Sequence, residues 1–219
     1  MTTVAAVADL HGFLPAVPAC DVLLLGGDLT PADDHSHERQ AAWLDGPFRR
    51  WLEEVPAAEV VGIAGNHDFV FEQAPGLLPD GLRWTYLQDT AATAAGLRIF
   101  GSPWSPWFFD WAFNAPQEDA EETFLRERFS RCPGDADVLL IHGPPSGYGD
   151  QTSRGPRVGS AAQLELIDRV RPQLALFGHI HEDRGNWERD GMTLANVAAV
   201  DLAYRLRPDP VVLFELRAR

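Results

Sequence analysis

The chain has 219 residues, of which 45% are hydrophobic and 23% are charged, a composition typical of folded globular proteins rather than disordered ones. Its formal net charge of −14 at pH 7 disfavours binding to long nucleic acids, because proteins usually contact the phosphate backbone through basic patches. No apolar run reaches the roughly 18 residues that a membrane-spanning helix requires, so we expect no membrane contact. The length suits one domain with a large core, and we predict a single domain over residues 1–219.

The two cysteines, Cys20 and Cys132, do not form a CxxC motif and are too few for a disulfide framework. The first predicted strand begins almost at Met1, which leaves no room for a signal peptide. Both features predict a cytoplasmic protein.

Predicted strands alternate with predicted helices along the chain. Short apolar runs predict strands over residues 3–8, 21–25, 59–63, 85–88, 97–100, 138–141, 174–177, 192–197 and 211–216. The spacing of apolar side chains predicts helices over residues 37–54, 117–131 and 160–171, and we expect Pro47 to kink the first of them. The link between the first two strands is too short for a long helix. The whole pattern predicts one α/β domain.

Five short motifs rich in metal-binding side chains each follow a predicted strand. They are Asp9-Leu10-His11, Gly27-Asp28, Gly65-Asn66-His67-Asp68, His142-Gly143 and Gly178-His179-Ile180-His181. Side chains at strand ends can converge on one point of an α/β sheet. Histidine, aspartate and asparagine together form a ligand set for divalent transition metals, and the motifs contain enough of them for two ions.

The spacing within the motifs indicates how the ions are shared. Asp9 and His11 are two residues apart, as are His179 and His181. Side chains at i and i+2 of a strand point to one side, so we expect the members of each pair to bind the same metal centre. The carboxylate of Asp28 has two oxygens and can bridge two ions.

The order of these motifs resembles that of the calcineurin-like metallophosphoesterases. Three further segments resemble the metallophosphoesterase-domain-containing subgroup of that family, namely Tyr86-Leu87-Gln88-Asp89, Gly101-Ser102-Pro103-Trp104-Ser105-Pro106-Trp107 and Ile141-His142-Gly143-Pro144-Pro145-Ser146-Gly147-Tyr148. The resemblance extends from Asp9 to about Asn196. It implies a four-layer α/β/β/α sandwich of two mixed β-sheets flanked by helices.

The resemblance also implies a role for each motif. One metal ion would be held by Asp9, His11, Asp28 and His181, and a second by Asp28, Asn66, His142 and His179. His67 would bind no metal; it would contact the substrate phosphate together with Asn66 and, as the catalytic acid, protonate the leaving oxygen. Some members of the subgroup carry glycine in place of His179, which weakens the second site. Because this chain has His179, we expect a complete site and turnover.

These assignments lead to a predicted activity. We expect a dinuclear, metal-dependent phosphodiesterase that hydrolyses small phosphodiesters, with cyclic nucleotides among the candidates, by a hydroxide that two metal ions activate. Manganese is favoured, and iron and zinc also suit the ligands. A phosphomonoesterase or protein phosphatase remains an alternative on the same core, and a nucleotide-binding module with little turnover is an alternative of another class.

Several residues outside the ligand set have two interpretations. The aromatic segment 102–114 is expected to pack a long loop onto the core, with Trp104 as the best candidate for a pocket wall. His35 and His37 lie in a polar stretch that no strand precedes, and we interpret them as a solvated helix start.

Four other residues are weaker candidates. Asp68 either orients His67 or makes a structural loop contact. Arg154 and Arg157 lie in the Gly/Pro-rich loop after His142 and can meet a substrate phosphate, although exposed loop arginines are common. Asn196 follows a predicted strand and is a candidate for supporting the site from behind the ligands.

Overall fold

The computed structural model describes residues 1–218, which form eleven strands and five α-helices. In chain order the strands are β1 (Thr2–Val7), β2 (Cys20–Gly26), β3 (Ala57–Ile63), β4 (Thr85–Tyr86), β5 (Thr90–Ala94), β6 (Leu97–Ser102), β7 (Val138–Ile141), β8 (Leu174–Phe177), β9 (Gly185–Arg189), β10 (Met192–Asn196) and β11 (Val212–Leu216). The helices are α1 (His37–Trp43), α2 (Arg49–Glu54), α3 (Phe69–Gln73), α4 (Thr123–Phe129) and α5 (Ala161–Val170).

The strands form two mixed sheets. The first has the order β11-β1-β2-β3-β4, in which β1 to β4 run parallel and β11 pairs antiparallel with β1. The second has the order β5-β6-β7-β8-β10-β9, with a parallel centre and an antiparallel strand at each edge. Parallel centres bring the carboxyl ends of successive strands to one edge, which is where the predicted ligands lie.

Two apolar layers hold the sheets and helices together. One lies between the sheets and combines side chains such as Val4 and Leu24 of the first sheet with Leu140 and Leu176 of the second. The other is formed by the outer sheet faces and the helices, for example where Phe48 packs in the cluster that contains Leu25. Because both faces of each sheet are covered by these layers, the central strands are continuous apolar runs in the sequence. The predicted four-layer α/β/β/α sandwich is confirmed.

The predicted helix over residues 37–54 is present, with a local widening around its proline. α1 and α2 are joined without a break by a π-helical turn, Leu44–Phe48, that contains Pro47. Proline has no backbone N–H to donate, and a π-helical turn accommodates the missing bond without ending the helix.

Other predicted boundaries differ from the structure. The helix predicted over residues 117–131 is shorter, because α4 begins only at Thr123. The edge strands β5 and β9 were not predicted. Of the helices within residues 1–218, none combines the length and the apolar character needed to span a membrane.

Candidate metal centre

The eight predicted site residues come together at the carboxyl ends of the strands. The two sheets are joined there, because the backbone N–H of Ala8 donates to Val197 O at 3.1 Å and that of Ala199 donates to Ala8 O at 2.8 Å. The motifs after β1, β2 and β3 therefore face the motifs after β7 and β8. Seven of the eight residues are buried, and His179 is half-buried.

The residues predicted to hold the first metal ion are close enough to share one. Nε2 of His181 lies 3.3 Å from Asp9 Oδ1 and 3.2 Å from Nε2 of His11. Nε2 of His11 in turn lies 3.6 Å from Oδ2 of Asp28. Asp9, His11 and His181 form one of three buried groups within residues 1–218 whose ligand atoms lie within 4.8 Å of one another.

The residues predicted to hold the second ion converge on the side-chain oxygen of Asn66. Oδ1 of Asn66 lies 2.8 Å from Nε2 of His142 and 2.7 Å from Nδ1 of His179. Nε2 of His142 also lies 3.5 Å from Oδ2 of Asp28. One oxygen of Asp28 thus faces a histidine of each predicted set, which is compatible with a bridging carboxylate.

The backbone turns that present these ligands are in the left-handed region. The φ angles of Asp9, His11, Asp28 and His179 are 55°, 43°, 52° and 66°, a conformation that costs non-glycine residues about 1–3 kcal/mol each. The two i, i+2 pairs lie beyond the ends of β1 and β8, so the prediction that strand alternation aligns them is wrong. Left-handed turns after the strands align them instead.

Glycines allow the ligand loops to approach one another. A Cβ at Gly65 would overlap the carboxylate of Asp28 and the ring of His142, and a Cβ at Gly178 would overlap the carboxylate of Asp9. The glycines of the Gly-Asn-His-Asp and Gly-His-Ile-His motifs are therefore required by close packing and not by a glycine-specific φ angle.

Two of the histidines are in the neutral form that metal binding requires, and a third must lose a proton first. Burial lowers the pKa of His11 to about 4 and that of His179 to about 3, so both rings are neutral at pH 7 and have a free lone pair. Burial also lowers the pKa of His142, but the nearby carboxylate of Asp28 outweighs it and raises the pKa to about 9. Nδ1 of His142 donates to Gly26 O at 2.9 Å, which leaves Nε2 as the nitrogen that can bind a metal once it loses its proton.

The donor set fits a divalent transition metal. Imidazole nitrogens, carboxylate oxygens and an amide oxygen point at one another in a buried space. Within residues 1–218, Nδ2 of Asn66 and Nδ1 of His11 are buried without a hydrogen-bond partner, an energetic cost that is uncommon in protein cores. Once the rings are neutral, a cation between these nitrogens and oxygens would stabilise the lone pairs that face one another.

His67 lies beside the predicted metal ligands and contacts two aromatic side chains. It forms a buried group with His11 and Asp28, and its backbone N–H donates to Oδ1 of Asp28 at 2.7 Å. Trp111 and Tyr204 lie near its ring, with centroid distances of 4.6 and 6.3 Å. His67 is thus close enough to the ligands to act on a bound phosphate, and its predicted non-ligand role stays a prediction.

His35 is a site residue that the sequence did not reveal. Its interpretation as part of a solvated helix start is wrong, because its Nε2 lies 3.0 Å from Nδ1 of His67 and its ring stacks on Phe69 at 4.8 Å. This contact occupies Nδ1 of His67 and leaves Nε2 available to a substrate. His37 fits the original interpretation, since it begins α1 and its Nε2 lies 3.2 Å from Gln73 Oε1 at the surface.

Asp68 makes a structural loop contact, the second of its two predicted roles. Its buried carboxylate accepts hydrogen bonds from the backbone N–H groups of Leu29, Thr30 and Gly65 at 2.8–3.1 Å. Burial raises the pKa of this carboxyl to about 6, and the charge of Asp28 adds to the increase. Asp68 therefore ties the Gly-Asp loop to the Gly-Asn-His-Asp loop.

Trp104 is part of the core and not of a pocket wall. It is buried against Phe113 and Phe124, and the guanidinium of Arg128 lies 4.2 Å from its ring centre. The aromatic segment does reach the site, but through Trp111 next to His67.

Tyr204 is a second site residue that the sequence did not reveal. It lies after β10, in a stretch that carries no recognisable motif. Its ring centre lies 4.7 Å from that of His11 and 5.2 Å from that of His181. The tyrosine therefore covers two of the histidines that are predicted to bind the first ion.

Asn196 bonds to the backbone of the Gly-His-Ile-His loop, and one of the two loop arginines is already paired. Nδ2 of Asn196 donates to Ile180 O at 2.8 Å and its Oδ1 accepts from the backbone of Ala198 at 3.1 Å. Arg157 forms an ion pair with the buried carboxylate of Asp150, and Arg154 is exposed. The structure thus gives neither arginine a contact with the metal-binding residues.

Comparisons with known proteins agree with this geometry. A model of the calcineurin-like phosphoesterase family matches residues 2–183. The chain is 32% identical, over 94% of its length, to metallophosphoesterase domain-containing protein 1 of Homo sapiens, of which it covers 69%, and the Mus musculus protein of that name gives the same values. The resemblance inferred from the motifs is confirmed.

A solved structure shows the same fold at low identity. The phosphopantetheinyl hydrolase of Mycobacterium tuberculosis aligns with a TM-score of 0.66 and 15% identity, covering 97% of this chain and 95% of that one. Together with the family match and the gathered ligands, these findings show that the chain belongs to the calcineurin-like phosphoesterase family, a family of metal-dependent hydrolases of phosphoric esters.

Proposed function

We propose that the protein is a dinuclear phosphodiesterase that acts on small phosphodiesters. The observation that carries this proposal is the position of Asp28, whose Oδ2 lies 3.6 Å from Nε2 of His11 and 3.5 Å from Nε2 of His142. One carboxylate oxygen that faces both histidines favours two ions over one. Asp9, His11, Asp28 and His181 would hold the first ion.

The second ion would be held by Asp28, Asn66, His142 and His179. Two bound divalent ions lower the pKa of water and offset the negative charge of phosphoryl oxygens. Manganese is the favoured metal, although iron and zinc fit the same nitrogen and oxygen donors.

His67 supplies the proton in this proposal. Its Nδ1 is held by His35 at 3.0 Å, so its Nε2 can donate to the oxygen of the departing alcohol, a general-acid step worth about 10²–10⁴ in rate. Asn66 and His67 would also contact the phosphate of the substrate.

The charges around the site favour diesters over monoesters. A monoester carries nearly two negative charges at pH 7, since its second pKa is about 6, whereas a diester carries one. Within residues 1–218, no arginine is among the side chains that line the cavity beside His67, and the sequence contains no lysine. The second negative charge of a monoester would lack a side-chain partner there.

An assay of matched esters tests the proposal. Protein loaded with manganese, iron or zinc is given bis(4-nitrophenyl) phosphate, 4-nitrophenyl phosphate, and 2′,3′- and 3′,5′-cyclic nucleotides, and the metal content is measured in parallel. We expect kcat/KM to be higher for diesters than for monoesters. Faster monoester hydrolysis would favour a phosphomonoesterase, and tight nucleotide binding without turnover would favour a binding module. A cytoplasmic location remains a prediction that rests on the sequence.

A further inference from the structure

A cavity opens beside the metal centre, on the side of the proposed proton donor. Its volume is about 560 Å³, enough for a small organic group and its phosphate. His11 and His67 form its inner side, and its other wall is largely apolar, formed by Phe13, Pro31, Ala32 and Tyr204. A group on the leaving oxygen of a bound ester would occupy this space.

Two of the wall residues are aromatic side chains that remain exposed. Phe13 is 38% and Tyr204 is 40% exposed. The loop that carries Tyr204 is firmly held, because the Tyr204 N–H donates to Asp201 O at 2.9 Å and the Arg205 N–H donates to Asp201 Oδ1 at 3.0 Å. Aromatic rings that are fixed in position and open to solvent next to a reactive centre are typical of a binding surface for an apolar ligand.

The charged side chains around the cavity disfavour a second anionic group on the substrate. The arginines nearest to Tyr204 in sequence are engaged elsewhere: Arg205 forms an ion pair with Asp201 at 2.7 Å, and Arg207 donates to His181 O at 2.8 Å. Within residues 1–218, the side chains that line the cavity include one carboxylate, that of the exposed Asp33, and no arginine. A carboxylate or a second phosphate on the substrate would therefore meet a like charge and no basic side chain.

We propose that this cavity selects esters whose leaving alcohol carries an uncharged, apolar and preferably planar group. Phe13 and Tyr204 would contact that group, and Asp33 would repel anionic ones. This inference rests on the proposed function, because it assigns the substrate class of the same site. It disfavours substrates with several phosphates, whichever alcohol they contain.

Binding of phosphinates tests the inference without turnover. Dimethylphosphinate, benzyl(methyl)phosphinate, (4-carbamoylbenzyl)(methyl)phosphinate and (4-carboxybenzyl)(methyl)phosphinate each carry one negative charge on the phosphinyl group, and they contain no P–O–C bond that could be hydrolysed. Calorimetry on the manganese-loaded protein at low ionic strength gives a Kd for each. We expect the benzyl compound to bind about tenfold more tightly than the methyl compound, and the carboxylate about tenfold more weakly than the carboxamide of equal size.

Variants assign these preferences to residues. Phe13→Ala and Tyr204→Ala should each reduce the benzyl preference at least about threefold, the loss expected for part of an aromatic contact, while Tyr204→Phe should retain it. Asp33→Asn should reduce the difference in Kd between the carboxylate compound and the carboxamide compound. Leu77→Ala is the matched control, because Leu77 is 46% exposed and lies outside the cavity. Equal Kd values for all four compounds would overturn the inference, as would preferences that none of the cavity variants changes.

Hydrolysis separates this inference from the proposed function. The same protein is assayed with benzyl methyl phosphate and its 4-carboxybenzyl counterpart, whose leaving alcohols differ in charge but little in basicity. Selective phosphinate binding without hydrolysis of either ester would leave the cavity assignment standing and contradict the phosphodiesterase activity. Hydrolysis of both esters at equal kcat/KM, with equal phosphinate binding, would contradict the cavity assignment alone.

Discussion

Asp28 is the residue on which both predicted metal sites depend, since one of its oxygens faces His11 and His142. The substitution Asp28→Asn keeps the size of the side chain and removes its charge. We expect it to reduce bound metal from two ions per chain to fewer than one, because both ions lose the same ligand. Elemental analysis of the purified variant measures this, with the exposed Asp80→Asn as control. Loss of only one ion would contradict a bridging role.

His67 and His35 contact each other, and we expect their alanine variants to lower kcat by different amounts. We expect His67→Ala to lower kcat by about 10²–10⁴, as for loss of a general acid, with both metal ions still bound. His35→Ala should lower kcat by about three- to tenfold, the value of one hydrogen bond, with little change in KM. His35→Gln should restore part of the loss.

His37, two residues after His35, provides the control for these two variants. His37 is bonded to Gln73 and not to His67, so His37→Ala should leave kcat unchanged. A loss of metal from His67→Ala would show that His67 is a ligand. An equal loss of activity in the His35 and His37 variants would show that neither acts through His67.

His142 should make metal binding depend on pH. Burial opposes a proton on this ring, but Asp28 raises its pKa to about 9 in the metal-free protein, so the ring is protonated at pH 7. A metal ion binds only the neutral form, and the affinity should therefore increase with pH until about pH 9. Metal titrations between pH 7 and 9 should show an increase of about tenfold per pH unit for one released proton. An affinity that is constant over this range would refute the proton release.

At the scale of the loops, close packing makes Gly178 irreplaceable. A Cβ on Gly178 would overlap the carboxylate of Asp9, so Gly178→Ala should displace that ligand, weaken the first metal site and cost about 1–3 kcal/mol of stability. Gly134→Ala is the control, because a Cβ there has no neighbour within 4 Å. Metal content and thermal unfolding measure both effects. A Gly178→Ala variant with full metal content would contradict the packing argument.

The sequence predicted the elements that bury apolar side chains on both faces and the motifs that follow them. It failed where structure depends on contacts between distant segments. β5 and β9 are edge strands whose residues are, apart from Ala94, exposed or half-buried, so no apolar run marks them. His35 and Tyr204 lie in loops whose shape is set by Asp34 and Asp201, which bond to backbone N–H groups two to four residues on. For His35, the one local feature that pointed to the site was its position shortly after the Gly-Asp motif.

At the scale of the whole molecule, the acidic surface predicts small substrates. With a net charge of −14 we expect no binding of long nucleic acids, and the attraction for a phosphate would depend on metal ions bound in the cleft. The two sheets contribute ligands from opposite sides, so the centre forms only when both sheets pack together. The proposed two-metal centre would therefore depend on the packing of both sheets.

The most direct test of this account is a titration of activity against bound metal. Metal-free protein is loaded with increasing manganese, and the rate of bis(4-nitrophenyl) phosphate hydrolysis is measured together with the number of ions bound per chain. The account predicts that activity appears with the second ion and reaches its maximum at two ions per chain. Full activity at one ion per chain, or no activity at two, would contradict it.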